Sequence, residues 1–286
     1  MQIVTSVRQM QALADSLRAD GKRIGVVPTM GYLHAGHLSL IQLARERSDR
    51  VITTLFVNPT QFAPGEDLER YPRDFSRDQE LAAQAGTDVL FAPQTNEMYP
   101  PGYSTYVAVE KVSSILEGKF RPTHFRGVAT IVTKLFNITK PHVAVFGQKD
   151  AQQAFLIRKL AGDLNFDLEI LIAPTVREQD GLALSSRNSY LGGQERSRAV
   201  ALYRSLKRAE SLIAGGERSA AAVRAGMMEI LSAAQPTAID YVAFIRPDSF
   251  TEVETLTPPS VLVALAVRFS STRLIDNMII QFPDSG

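Results

Sequence analysis

An alternation of strand-like and helix-like segments constrains this chain more than any other feature. Over roughly the first 170 residues, short β-branched runs take turns with stretches of helical periodicity. Residues 23–27 read as a buried strand and 51–57 as another, followed by shorter apolar runs at 88–92, 142–146 and 168–173. Helix-like stretches lie between them; in one, Val128, Ile131, Val132, Leu135 and Phe136 share a face, and Pro141 ends that helix. Strand–helix alternation of this kind predicts an α/β fold, a doubly wound and mostly parallel sheet covered on both faces. Such sheets bind ligands beyond the carboxyl ends of their strands. Functional residues are therefore expected just after strands.

Past about residue 175 the pattern changes. Ala199, Leu202, Leu206, Ala209 and Ile213 form an apolar stripe that stops at Gly215-Gly216, and Ala220, Val223, Met227 and Ile230 form a second. Three strand-like runs follow, near 239–245, 261–269 and 274–280, punctuated by Pro247 and Pro258-Pro259. Helices followed by neighbouring strands predict a smaller C-terminal α+β domain. The expected division is 1–175 and 176–286, with the boundary near Pro174.

Composition removes several classes of chemistry. No cysteine is present, which excludes disulfides, thiolate zinc sites, iron–sulfur clusters and a cysteine nucleophile. The 31 basic and 30 acidic residues leave a net charge of +1, against a nucleic-acid binder that relies on a strong basic field. Residues 1–11 show no basic segment followed by an apolar stretch, and the run 261–267 is too short to cross a bilayer. A cytoplasmic enzyme with no membrane or nucleic-acid partner is the expectation.

The first strand runs into Pro28-Thr29-Met30-Gly31-Tyr32-Leu33-His34-Ala35-Gly36-His37. From about residue 35, Leu38, Ile41 and Ala44 are spaced as in a helix, so both histidines sit at or beside its N-terminus. Free main-chain N–H groups and the helix dipole favour an anion there, such as a triphosphate. Histidine donors could stabilise charge developing on it. The same spacing also fits half of a metal site or a polar helix cap. Metal is disfavoured because only His124 and His142 remain to complete a set. A Walker-type phosphate loop and a Gly-x-Gly-x-x-Gly turn are both missing after this strand.

His-x-Gly-His after a first strand resembles the signature of the nucleotidyltransferase superfamily that includes class I aminoacyl-tRNA synthetases. Within it, Pro-Thr-Met-Gly-x-Leu-His-x-Gly-His resembles the pantoate–β-alanine ligase family. Five further blocks follow in order: Phe56-Val57-Asn58-Pro59-Thr60-Gln61-Phe62, Tyr71-Pro72-Arg73, Thr123-His124-Phe125-Arg126-Gly127-Val128, Phe146 through Gln153, and Asp180 through Asn188. Together they span about residues 25–190.

The resemblance implies a Rossmann-like first domain, a C-terminal lid domain and a homodimer formed through the first. It implies two half-reactions: pantoate and ATP give an enzyme-bound pantoyl adenylate and pyrophosphate, then β-alanine gives pantothenate and AMP. By resemblance, Met30, Gly31, Tyr32, Leu33, His34, Ala35, Gly36 and His37 bind ATP, as do Gly147, Gln148, Lys149, Asp150, Val176, Leu184, Ser185, Ser186 and Arg187. Gln61 contacts pantoate and β-alanine, Asn58 supports that pocket, and Gln153 binds pantoate. His37, His34, Lys149 and Arg187 are the expected catalytic set, with magnesium carried mainly by the phosphates; Asp78 is a candidate ligand that nothing singles out. Gln148 stands where glutamate is more usual and Thr60 where methionine is common. Arg126 and His124 read equally as caps or ion-pair partners. Alternatives are a nucleotidyltransferase with a stable dinucleotide-type product, a tRNA-binding module and a non-catalytic binding protein.

Overall fold

Six parallel strands form the sheet that the alternation predicts. The computed structural model describes residues 1–282. In chain order its first part runs β1 (Gln2–Val4), α1 (Val7–Ala19), β2 (Ile24–Thr29), α2 (Ala35–Arg47), β3 (Arg50–Leu55), α3 (Phe75–Gln84), β4 (Val89–Phe91), α4 (Thr95–Met98), α5 (Glu117–Phe120), α6 (His124–Thr139), β5 (Val143–Gly147), α7 (Ala151–Asp163) and β6 (Glu169–Ala173). The sheet order is β1-β4-β3-β2-β5-β6, and every neighbouring pair is parallel. Val26, Val27, Ile52, Leu90, Val143 and Val145 are fully buried. Helices on both faces demand such uninterrupted apolar strands.

The chain steps outward from β2 to β3 and β4, then returns to lay β5 against the other side of β2. That reversal is the switch point at which doubly wound sheets bind ligands. Only Gly25 and Val26 of β2 pair with β5. Beyond them β2 continues with β3 alone, and Pro28, which has no N–H to donate, lies in that stretch. The strand is thus longer than residues 23–27, because a proline is tolerated where one neighbour is missing. Nothing in the sequence pattern announces β1; three residues are too few to show a period.

The chain forms two compact units: residues Met1–Gln148 with Gln152–Pro174, and Lys149–Ala151 with everything from Thr175 onward. The second unit contains α8 (Gly193–Ala199), α9 (Ala201–Ala214), α10 (Ala220–Ala233), β7 (Ala238–Arg246), β8 (Thr251–Glu252), β9 (Ser260–Phe269) and β10 (Thr272–Gln281). Its antiparallel sheet has the order β10-β9-β7-β8. Leu202, Leu206 and Ile213 of α9 and Val223 and Met227 of α10 pack in one core with Phe244, Val263 and Leu265. Ala199 closes α8 instead of opening α9, so the first predicted stripe spans two helices. No helix among the described residues is long and apolar enough to cross a membrane.

Candidate active site

In the first unit, β2 delivers the chain into a turn at 30–33, where Gly31 has φ +87° and Tyr32 φ +52°. Two consecutive left-handed residues, one of them not glycine, need outside support. Asp78, in the first turn of α3, supplies it. Its Oδ2 accepts the Tyr32 N–H at 2.7 Å and its Oδ1 the Leu33 N–H at 2.6 Å. The side chain is 1% exposed. Burial pushes this carboxyl up, and the Leu33 and Tyr32 amides partly offset that rise. The positive φ favours glycine at residue 31, and a Cβ there would also sit tightly against Asp78 Oδ2, at 3.0 Å.

The turn ends at His34, the N-cap of α2. His34 Nδ1 accepts the Gly36 N–H at 3.2 Å, and His37 Nδ1 accepts the His34 N–H at 3.3 Å. Each histidine therefore caps main chain that the helix start leaves unpaired. The ring centroids are 4.0 Å apart. Because both Nδ1 atoms accept, the neutral rings carry their protons on Nε2. Two N–H donors, side by side at a helix N-terminus, suit an anion.

A second cluster follows β3. Asn58 precedes a short 3₁₀ turn at Pro59–Gln61, and both Asn58 and Gln61 are buried. Asn58 Nδ2 donates to Gln61 Oε1 and to the Gly127 carbonyl, each at 3.1 Å. Asn58 Oδ1 accepts from the Tyr99 hydroxyl at 2.8 Å and from Thr60 Oγ1 at 3.0 Å. Burial pushes the Tyr99 hydroxyl up to about 12, so it remains a donor. The Gln61 carbonyl accepts from Arg121 at 3.3 Å and bonds His124 Nδ1 at 2.9 Å. Gln61 Nε2 meets the Met30 sulfur at 3.0 Å.

Helix α6 closes against this turn at Gly127, where a Cβ would lie 2.4 Å from the Thr60 carbonyl oxygen. Thr60 is tied by its hydroxyl into the Asn58–Tyr99 network, which a methionine could not join. His124 holds the Gln61 main chain, and Arg126 stacks on Tyr106 at 3.8 Å. On α7 the adjacent glutamines differ. Gln152 is buried and bonded to Glu117, Val112 and Ile115, whereas Gln153 is half-buried.

Of the remaining expected ATP residues, Gly147 ends β5 and lies with Gln148 in the first unit, whereas Lys149, Asp150, Val176, Leu184, Ser185, Ser186 and Arg187 lie in the second. Lys149 and Asp150 occupy the 3₁₀ turn Gln148–Asp150, with Lys149 Nζ 3.6 Å from Asp150 Oδ1. Residues 176–184 form a hairpin: Arg177 bridges Ala183, and the Leu184 N–H donates to the Val176 carbonyl at 3.0 Å. It leads into the 3₁₀ helix Ser186–Tyr190, capped by Ser185 Oγ, which accepts the Arg187 N–H at 3.3 Å. Cap and turn place Ser185, Ser186 and Arg187 together.

For magnesium the side chains do not offer a cage. Both Asp78 oxygens are bonded to main-chain N–H groups, and no group of three or more His, Cys, Asp or Glu among the described residues could hold a metal. The supporting roles of Asp78, Tyr99, Arg121 and Gly127 escape a reading of the sequence. Each acts over tens of residues, and although Gly127 lies in the 123–128 block, no spacing marks the turn it packs against.

Residues 2–279 match the family model for pantoate–β-alanine ligase. A pantothenate synthetase of Acetivibrio thermocellus is 52% identical over 281 residues, covering 98% of this chain and 100% of that protein. One from Moorella thermoacetica is 53% identical over 284 residues, 99% of each. The crystal structure of pantothenate synthetase from Thermus thermophilus superposes with a TM-score of 0.93 at 42% identity, covering 99% of this chain and 100% of that one. A pantoate–β-alanine ligase from Francisella tularensis, complexed with β,γ-ATP and β-alanine, gives 0.81 at 33% identity over 98% and 97%. The chain belongs to the pantoate–β-alanine ligase family.

Proposed function

We propose that the histidine cap after β2 and the glutamine cluster after β3 carry out this family's reaction, the ATP-dependent condensation of (R)-pantoate with β-alanine. The pantoate carboxylate attacks the α-phosphorus of ATP, forming pantoyl adenylate and expelling pyrophosphate. The β-alanine amine then attacks the acyl carbon, and AMP leaves. No protein nucleophile is needed, so the side chains align reactants and stabilise charge.

The observation that carries the reading is the paired cap. With both Nδ1 atoms accepting main-chain N–H groups, His34 and His37 present Nε2–H donors where phosphate charge builds. His37 is assigned as principal donor to the reacting phosphates. In the same reading Lys149 and Arg187 supply cations for the triphosphate. Met30, Gly31, Tyr32, Leu33, Ala35 and Gly36 form the ATP-facing turn with the histidines; Gly147, Gln148, Asp150, Val176, Leu184, Ser185 and Ser186 are assigned to ATP as well. Gln61 and Gln153 hold pantoate, and Gln61 later holds β-alanine. Asn58 acts through Gln61, whose Oε1 it fixes. Magnesium enters with the phosphates. A cytoplasmic homodimer completes the reading; light scattering distinguishes the 31.4 kDa chain from its double.

Pyrophosphate release that requires pantoate, with AMP and pantothenate appearing only after β-alanine is added, tests the order of events. A nucleotidyltransferase with a stable dinucleotide-type product would not respond to β-alanine. His37→Ala should slow adenylation by roughly 10²–10³-fold. Pyrophosphate release near the wild-type rate in that variant would remove His37 from the role.

A further inference from the structure

Strand β10, at one edge of the antiparallel sheet, carries a buried polar pair midway along its length. Asp276 and Asn277 are 2% and 4% exposed. Asp276 accepts both arms of Arg177: Nη1 to Oδ2 at 2.6 Å and Nη2 to Oδ1 at 2.9 Å. Its Oδ1 also accepts the Asn277 N–H at 2.7 Å. Arg177 Nη2 reaches the Asn277 carbonyl at 3.2 Å, and its guanidinium lies over the Tyr203 ring at 4.6 Å. Asn277 Nδ2 donates to the Lys149 carbonyl at 2.8 Å, across 128 positions of sequence.

Stability alone is a poor reason for this arrangement. Taking a carboxylate and a guanidinium out of water costs about as much as their attraction returns, so apolar residues would hold the sheet as well. A bidentate pair contributes direction instead, because the planar fork accepts one orientation of its partner. Here that orientation fixes Arg177, the residue beside Val176 on the hairpin that leads to Ser185. The neighbouring side chain fixes the main chain of Lys149. Adjacent residues of one strand thus grip both segments of the second unit to which ATP contacts are assigned.

We propose that Asp276 and Asn277 are positioning residues for adenylation, setting the Lys149 turn and the 176–184 hairpin in a common register. The inference rests on the ATP roles assigned above to Lys149 and the Ser185 loop. Asn277 acts through the Lys149 main chain and Asp276 through Arg177; neither touches the reacting atoms.

The test measures pyrophosphate release by full-length wild type, Asn277→Leu, Asn277→Ser, Lys149→Ala and the Lys149→Ala/Asn277→Leu double variant. Asn277→Leu keeps the branched shape and removes the donor. It should slow adenylation on the order of 10-fold and raise the KM for ATP, leaving the KM for β-alanine in the second half-reaction unchanged. On the Lys149→Ala background the same change should cost less than about twofold, as expected for groups that act as one. Equal cost on both backgrounds, or wild-type adenylation by a folded Asn277→Leu chain, overturns the proposal. Wild-type adenylation by Lys149→Ala overturns the ATP role of Lys149 and the proposal with it. A loss in Lys149→Ala without one in Asn277→Leu overturns the proposal alone. If Asn277→Leu does not fold, Asn277→Ser decides, since its shorter donor should give the same pattern at smaller amplitude. A lowered thermal midpoint with wild-type adenylation in that variant overturns the proposal too.

Discussion

Both oxygens of the Asp78 carboxylate are committed to the main chain of residues 32 and 33, and this sets what a change there does. Asp78→Asn retains one acceptor but turns an NH₂ group toward the other amide. Two donors then face each other in a buried site, at a cost of about 1–3 kcal/mol. The turn at 30–33 should relax and carry the histidine cap out of alignment. Adenylation should fall on the order of 10²-fold, with the KM for β-alanine unchanged, as followed by pyrophosphate release. Asp78→Glu should not restore it, because a longer arm cannot place both oxygens on adjacent amides. His34 and His37 are legible in the sequence because cap, glycine and helix period coincide within four residues. Asp78 is not. It lies 45 residues beyond Leu33, in a first helical turn where any acidic residue is at home.

At the scale of elements, the contact between α6 and the Pro59–Gln61 turn depends on the hydrogen at Gly127. A methyl group there would meet the Thr60 carbonyl oxygen at 2.4 Å and the Gln61 nitrogen at 2.5 Å, both main-chain atoms that cannot swing aside. Gly127→Ala should therefore push the turn away from α6 and break the Asn58–Gly127 bond. The expected result is a KM for pantoate raised at least about tenfold, with roughly 1–3 kcal/mol of stability lost in urea unfolding. The parallel strands are readable because burial on both faces leaves continuous apolar runs. β8 is not, since Thr251 and Glu252 are exposed and carry no pattern. The break between α8 and α9 at Val200 is also hidden, because the apolar period continues across it.

For the whole molecule, the first effect of mild acid should come through His142. Its Nδ1 accepts the Ile24 N–H at 3.0 Å, at the start of β2, and burial together with Arg18 and Arg23 pulls its pKa below the ordinary 6.5. The folded state favours the neutral ring. As pH falls through 6.5 the unfolded chain binds the proton first, so stability declines until the folded-state value is reached and then stops changing on this account. Urea midpoints measured from neutral pH downward should show the decline. His142→Asn, which keeps an acceptor but cannot titrate, should remove the part of the decline that begins near 6.5. The change of pattern near residue 175 predicts two parts, and nothing in it sets residues 149–151 apart from their neighbours. Lys149–Ala151 lie with the second unit although both of their sequence neighbours lie with the first. The bond that ties them there joins residues 149 and 277, a pairing no local pattern announces. This gives the molecule an unusual grammar for engineering. A single cut near Pro174 separates the C-terminal unit from three of its own residues, so it is not a cassette that can be exchanged between relatives by one crossover. A working graft must travel as two pieces, or arrive beside a host segment whose main chain already meets Asn277.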